Sequence, residues 1–279
     1  MEKRKLMIKI IRRSLSWFAL LSVVPPATGM TNEVQLELYT DEFPPLQVQV
    51  EDKAYGYVVE FLKELVADAS KSMAMSINEI HFVPWKRAIS VSETQANVLF
   101  FSISRTPSRE EKYHWIGEVS PYDITLYKYK NGPKIQPHNI EDIIDYRFGT
   151  QAGGSFHEYL IEHGAKDILP VTYGRRTIKL LKANRIDYAP LVAESFYYRM
   201  EQYGENPEEF EPVMKIDELS KNLWVVASKK TSQEVVDTLI ASYKNLRNKG
   251  ELERLIEAYH PQSEIMSKYR KVKQQEVLE

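Results

Sequence analysis

Phe100-Phe101-Ser102-Ile103-Ser104-Arg105-Thr106-Pro107-Ser108-Arg109 is an apolar strand that runs straight into hydroxyls and a cation. Its last backbone donors meet Ser and Thr side chains, and Arg109 offers a planar fork that grips a carboxylate with two parallel bonds. The stretch therefore reads as one wall of a pocket for a small anion. An equally simple reading is a strand end followed by an arginine paired with Glu110 or Glu111. Working back from it, 34–40 alternates apolar and polar residues as a strand does, and Pro44 and Pro45 forbid its continuation. After Gly56, the apolar residues Val58, Val59, Phe61, Leu62, Leu65 and Val66 have helical spacing. A strand at 80–83, a helix at 85–92 opened by Pro84, and the strand 98–103 complete a β-α-β-α-β alternation, the pattern of an open α/β sheet. Ligands of such sheets bind at the carboxyl ends of the strands, here the segments that begin at Asp41 and Ser102.

Working forward, Ser120-Pro121-Tyr122 closes the first series and a strand at 124–129 opens a second. Its elements are a short helix at 140–145, a strand at 147–150, a helix at 156–162 behind Gly153-Gly154-Ser155, a strand at 168–172, a helix at 175–183, a strand at 187–192 and a helix at 194–202. An acidic, Pro-containing loop starts at Asn206-Pro207. The strand 223–227 then returns the chain to the first lobe, and helices at 233–247 and 251–259 follow, separated by Lys249-Gly250. The expected organisation is an export segment at 1–29, a first lobe at 30–123, a second lobe at 124–222, the rest of the first lobe at 223–261 and a charged tail at 262–279.

Residues 1 to 29 carry six cations, then the apolar run 15–24, then small residues and prolines, the layout of a secretory signal. The expected location is the periplasm. Six cations and Glu2 leave with that segment, so the formal charge moves from −2 to −7, which disfavours nucleic acid or anionic lipid as a partner. The chain has no Cys, which excludes disulfide frameworks and thiolate metal sites. Its six His are scattered, with no nucleophile-base motif, so no cofactor or metal is expected. Seventeen Tyr and four Trp are many for this length; aromatics outside the core often line a cleft, although core packing is the commoner use of any single one.

On these elements the chain resembles the bacterial extracellular solute-binding proteins of family 3, which serve polar amino acid uptake. Phe43-Pro44-Pro45 is similar to the family's aromatic-Pro end of strand one, and Gly56 to the glycine that opens its first helix. Ser102, Ser104, Thr106 and Arg109 match in register the family's Ser-x-Ser-x-Thr-x-x-Arg pattern, whose hydroxyls and arginine hold a ligand carboxylate, and Pro121-Tyr122 matches its following Pro-Tyr. Gly153-Gly154-Ser155 stands where a second-lobe turn completes that site. The resemblance implies an α/β, two-lobed, type II periplasmic-binding fold. Each lobe would be an open, mostly parallel sheet flanked by helices, with a two-strand hinge between them. It also implies a monomer that is not an enzyme, a small carboxylate ligand clamped between Arg109 and the helix start at Gly154 and Ser155, and an ABC permease or membrane receptor as partner.

One departure bears on the ligand. Val192 stands where the family's amino-acid binders place an Asp for the α-ammonium, and an ammonium buried there without a counter-charge costs about 3–5 kcal/mol. Glu194 is a possible substitute, or serves its helix dipole. Trp85 and Arg87 are read either as cleft wall and second cation or as core seal and solvated charge, and Phe43 as a stacking wall. Together these residues point to an aromatic, dicarboxylic or otherwise acidic ligand. Two rival readings share the scaffold: a sensor input for a membrane receptor, and a dehydratase with Asp41, Glu42 or Glu194 as general acid.

Overall fold

Strand β1 (Val34–Thr40) buries alternate residues, as its sequence pattern requires, and stops at Asp41 before the two prolines. Two short strands that the sequence pattern does not betray, β2 (Val48–Val50) and β3 (Lys53–Tyr55), form a hairpin before α1 (Tyr57–Ala69). Gly56 at that junction has φ 119°, and a Cβ there would meet the Leu46 carbonyl oxygen at 2.2 Å, so no other residue fits. The computed structural model describes residues 33–192 and 195–259. The expected export segment, Glu194 and the charged tail lie outside the described residues.

After α1 come β4 (Met75–Phe82), α2 (Trp85–Thr94), β5 (Val98–Ser104) and β6 (Tyr113–Ser120). The second series comprises β7 (Ile124–Tyr129), β8 (Phe148–Gln151), α3 (Ser155–Glu162), β9 (Ile168–Val171), α4 (Arg176–Lys182), β10 (Ala189–Val192), α5 (Phe196–Gln202) and β11 (Phe210–Lys215). The chain ends with β12 (Leu223–Ser228), α6 (Gln233–Asn248) and α7 (Glu251–Ala258). The expected helix at 140–145 is a single 3-10 turn, Glu141–Ile143.

One sheet has the order β4-β1-β5-β12-β6. The other has β10-β7-β11 joined to β8-β9 by a parallel bridge between Phe148 and Tyr188 and a Gly149 N–H bond to the Tyr188 carbonyl (2.9 Å). The expectation of mostly parallel sheets holds only in part. β1 runs parallel to β4 and β5, and β8 to β9, but β12 is antiparallel to β5 and β6, and β7 is antiparallel to β10 and β11. The reason is connectivity. β12 enters the first sheet from the other half of the molecule, with no crossover helix to turn it round, so it runs against its neighbours. Pro190, an oddity for a strand, sits on β10 at the outer side of the antiparallel trio.

A core cluster built on Leu36, Leu38, Phe61, Leu62, Leu65 and Leu99 fixes α1, α6 and α7 to the first sheet. Separate clusters around Met200 and Phe148 fill the second. The chain crosses from one half to the other twice, at 121–123 and 216–222, where Ile216 N–H bonds the Ile124 carbonyl (2.9 Å) and the Ser220 hydroxyl accepts from Ile124 N–H (3.0 Å). The carboxyl ends of β1 and β5 and the start of α3 face one another beside these crossings. Among the described residues no helix is long and apolar enough to cross a membrane.

Candidate functional site

β5 is buried along its whole length and ends in two small hydroxyl residues. Ser102 takes φ 61°, the left-handed region that a β-carbon resists, and its hydroxyl donates to the Gln47 amide oxygen at 2.8 Å. Gln47, fully buried, returns bonds to the Thr40 hydroxyl (3.1 Å) and the Asp41 carbonyl (3.3 Å), so the ends of β1 and β5 are locked together by one side chain. Ser104 points across to the other half, its hydroxyl 3.4 Å from that of Ser155. Ser155 does not cap its own helix, contrary to the simplest reading of a Ser at that place.

Arg109 is 3% exposed. Its Nη1 donates to the Ser104 carbonyl (3.2 Å), and its Nη2 donates both to the Gly153 carbonyl (2.9 Å) and to Glu158 Oε1 on α3 (2.9 Å). Neither sequence-adjacent acid is its partner: Glu110 takes Arg105 instead, through Nε at 2.8 Å. Trp85 also reaches across, its indole Nε1 donating to the same Gly153 carbonyl at 3.1 Å, while its ring packs on Phe100 at 4.7 Å. Trp85 thus packs on the core and also stands in the wall between the halves. Ser108 adds a bond to Glu158 Oε2 (3.3 Å), and Gln151 Nε2 donates to Asp41 Oδ2.

These contacts border a cavity of about 110 Å³, whose wall includes Phe43, Trp85, Ser102, Ser104, Arg109 and Ser155. It is smaller than the roughly 300–1,000 Å³ typical of pockets for drug-sized ligands. Gly154, Tyr122 and Val192 line it too. A second hollow of about 220 Å³ shares Asp41, Gln151, Arg199 and Tyr203 with it. Two of the expected residues are not brought in. Arg87 is exposed on α2, because Trp85, Ala88 and Ser92 turn the other face of that helix to the core. Thr106 stands outside the cavity wall, since Pro107 turns the chain into a 3-10 segment there and the Thr106 hydroxyl pairs with that of Ser108 (3.0 Å).

Sequence reasoning missed Arg199 and gave Asp41 no place in the carboxylate site, yet both line the same cavity. Arg199, half-buried on α5, lies over the Phe43 ring at 5.1 Å and donates from Nε to the Tyr203 hydroxyl at 3.2 Å. Asp41 is buried, and desolvation pushes its carboxyl up to about 6, against the Glu42 N–H and Gln151 bonds and the nearby Arg199 that favour its charge. Burial likewise pushes the Tyr122 hydroxyl up, opposed by Arg199, the Ser155 hydroxyl and Arg109. Asp41 was legible only as a candidate acid at a strand end. Arg199, on a short helix of the second series, gives no sequence signal beyond its charge.

The arrangement is a cleft between two sheet-based halves, lined by small hydroxyls, aromatic side chains and arginines. By its sequence this chain belongs to the bacterial extracellular solute-binding proteins, family 3, whose family model matches residues 37–262. No curated protein sequence is similar enough to count as a relative. Solved structures share the fold at low identity. A histidine kinase sensor domain with similarity to periplasmic binding proteins has a TM-score of 0.69 at 19% identity, covering 81% of this chain and 96% of that one. The arginine-, lysine-, histidine-binding protein ArtJ from Geobacillus stearothermophilus has a TM-score of 0.67 at 14% identity, covering 82% and 96%. The ancestral amino acid-binding protein AncCDT-1, a precursor of cyclohexadienyl dehydratase, has a TM-score of 0.64 at 16% identity, covering 81% and 95%.

Proposed function

We propose that this protein binds a small carboxylate-bearing solute, an amino acid or a related organic acid, in the cavity between its two lobes. The lobes close over the ligand in the periplasm, and the closed form is delivered to an ABC permease. The observation that carries this reading is the cavity of about 110 Å³ walled by both halves, with buried Ser102 and Ser104, the start of α3 and the arginines around it. Its size suits a metabolite of a few heavy atoms, and backbone N–H groups at a helix start favour an anion. Bonds from Arg109 and Trp85 to Gly153 form only when the halves meet, so a ligand that fills the gap favours the closed state through its differential affinity. Family membership supports export and solute capture, as does the fold shared with ArtJ.

Two other roles keep one observation each. The fold shared with a kinase sensor domain suits sensing by a membrane receptor in place of delivery. Asp41, with its carboxyl pushed up to about 6 inside the cavity, suits a general acid and hence a dehydratase-type activity. Thermal melting of the purified protein against amino acids, keto acids, dicarboxylates and aromatic acids tests the binding reading. A ligand at a hundredfold excess over its Kd stabilises by about 2.7 kcal/mol, and a flat response across the whole panel refutes it. Incubating each hit and following it by NMR separates binder from enzyme, because only an enzyme consumes it.

A further inference from the structure

We infer that the group that reads the ligand's carboxylate is Arg199, and that Arg109 braces the closed cleft. The inference rests on the carboxylate-binding reading above and assigns its specificity-determining contact. Arg109 is the expected receptor, but its donors are spent inside the protein. An arginine grips a carboxylate with two parallel N–H groups on one edge, and both edges that include Nη2 need one of its two hydrogens. On Arg109 both go elsewhere, one to the Gly153 carbonyl and one to Glu158. Glu158 already supplies the carboxylate that this guanidinium was expected to find in a ligand.

Arg199 has the opposite arrangement. Nε is tied to the Tyr203 hydroxyl, and the guanidinium stacks on Phe43 from the other half, so its plane and direction are both set. Among the described residues no carboxylate lies within ion-pair reach of it. Asp41, whose charge it influences, gives its oxygens to Glu42 N–H and Gln151 instead. Among the described residues the Nη1/Nη2 edge has no partner, in the wall of both hollows, and Gly174 stands beside Nη2 with no side chain to block it. A preoriented guanidinium of this kind is a two-pronged anion receptor in need of a planar anion. The same placement removes the difficulty at Val192: a ligand anchored by its carboxylate at Arg199 need not set an ammonium against that valine.

The test is a cycle of affinities by calorimetry on the purified protein, with succinate, benzoate, L-glutamate and L-arginine as probes, each beside its carboxamide counterpart. The tightest acid should lose on the order of 10–100-fold in affinity in Arg199→Gln, and the preference for acid over amide should collapse there. Arg109→Gln, or Arg109→Lys if the first folds poorly, should weaken acid and amide alike and keep the preference. The unliganded melting temperature of Arg199→Gln should match the wild type. An acid preference that survives in Arg199→Gln and vanishes in an Arg109 variant overturns the assignment alone. No binding of any acid to the wild type overturns the carboxylate reading itself, and the assignment with it.

Discussion

Two arginines line one cavity, and they differ in almost everything except side chain. Arg109 is sealed from solvent and joined to three protein acceptors, two of them in the opposite half. Arg199 is half-buried, held by a hydroxyl and an aromatic face, and paired with no described carboxylate. A guanidinium with every useful edge engaged holds structure together, whereas one with a free, fixed edge waits for a partner. Residue type and cleft position are thus poor guides to role until the donors are counted.

The contrast is sharpest in stability. Arg109→Met removes three donated bonds, to the Ser104 and Gly153 carbonyls and to Glu158, and should lower the free energy of unfolding by about 2–4 kcal/mol in urea titrations. Arg199→Met should change it by under about 1 kcal/mol, and equal losses at the two positions would break the comparison. Asp41, whose charge Arg199 influences, carries the next largest effect. Its carboxyl holds a proton up to about 6 when folded but only to 3.8 in its ordinary state, so the folded protein binds that proton more tightly. Stability contributed by this group is therefore full below about pH 4 and is lost as pH rises through 6, by up to about 3 kcal/mol. Asp41→Asn should flatten that slope in melting curves taken from pH 4 to 7; an unchanged slope removes Asp41 as its source. Trp85→Phe is milder than either Arg109→Met or the Asp41 effect, a loss of about 1 kcal/mol from one missing N–H bond to Gly153 with the ring packing kept.

Sequence periodicity reveals the first half well, because β1, α1, α2 and β5 are long, patterned and punctuated by prolines and Gly56. It does not reveal β11, where Pro212 and Glu211 contradict a strand, or β6, whose buried and exposed residues follow no clean alternation. Strand direction was equally hidden, since it depends on where β12 re-enters the first sheet. At the site, Phe43, Trp85, Ser102, Ser104, Arg109, Gly154 and Ser155 were marked by strand ends and a helix start, and all line the cavity. Of the two readings of Arg87, its exposure on α2 agrees with the solvated charge, because Trp85, Ala88 and Ser92 commit the other helical face to the core. Glu158 and Gln151 carried no mark, since their partners Arg109 and Asp41 are 49 and 110 residues away. Local pattern locates the ends of elements, and only the folded chain matches one end to another.

A single oxygen has the widest consequence. The Gly153 carbonyl receives both the Trp85 indole and the Arg109 guanidinium, from a residue whose φ of 75° no side chain would favour. Two donors fixed to different elements of one half converge on one point of the other, so a small sliding of the halves loses both bonds together. Shutting should then behave as a click between discrete positions, with few half-shut molecules in between, and a membrane partner that docks only onto the shut shape would receive an unambiguous signal.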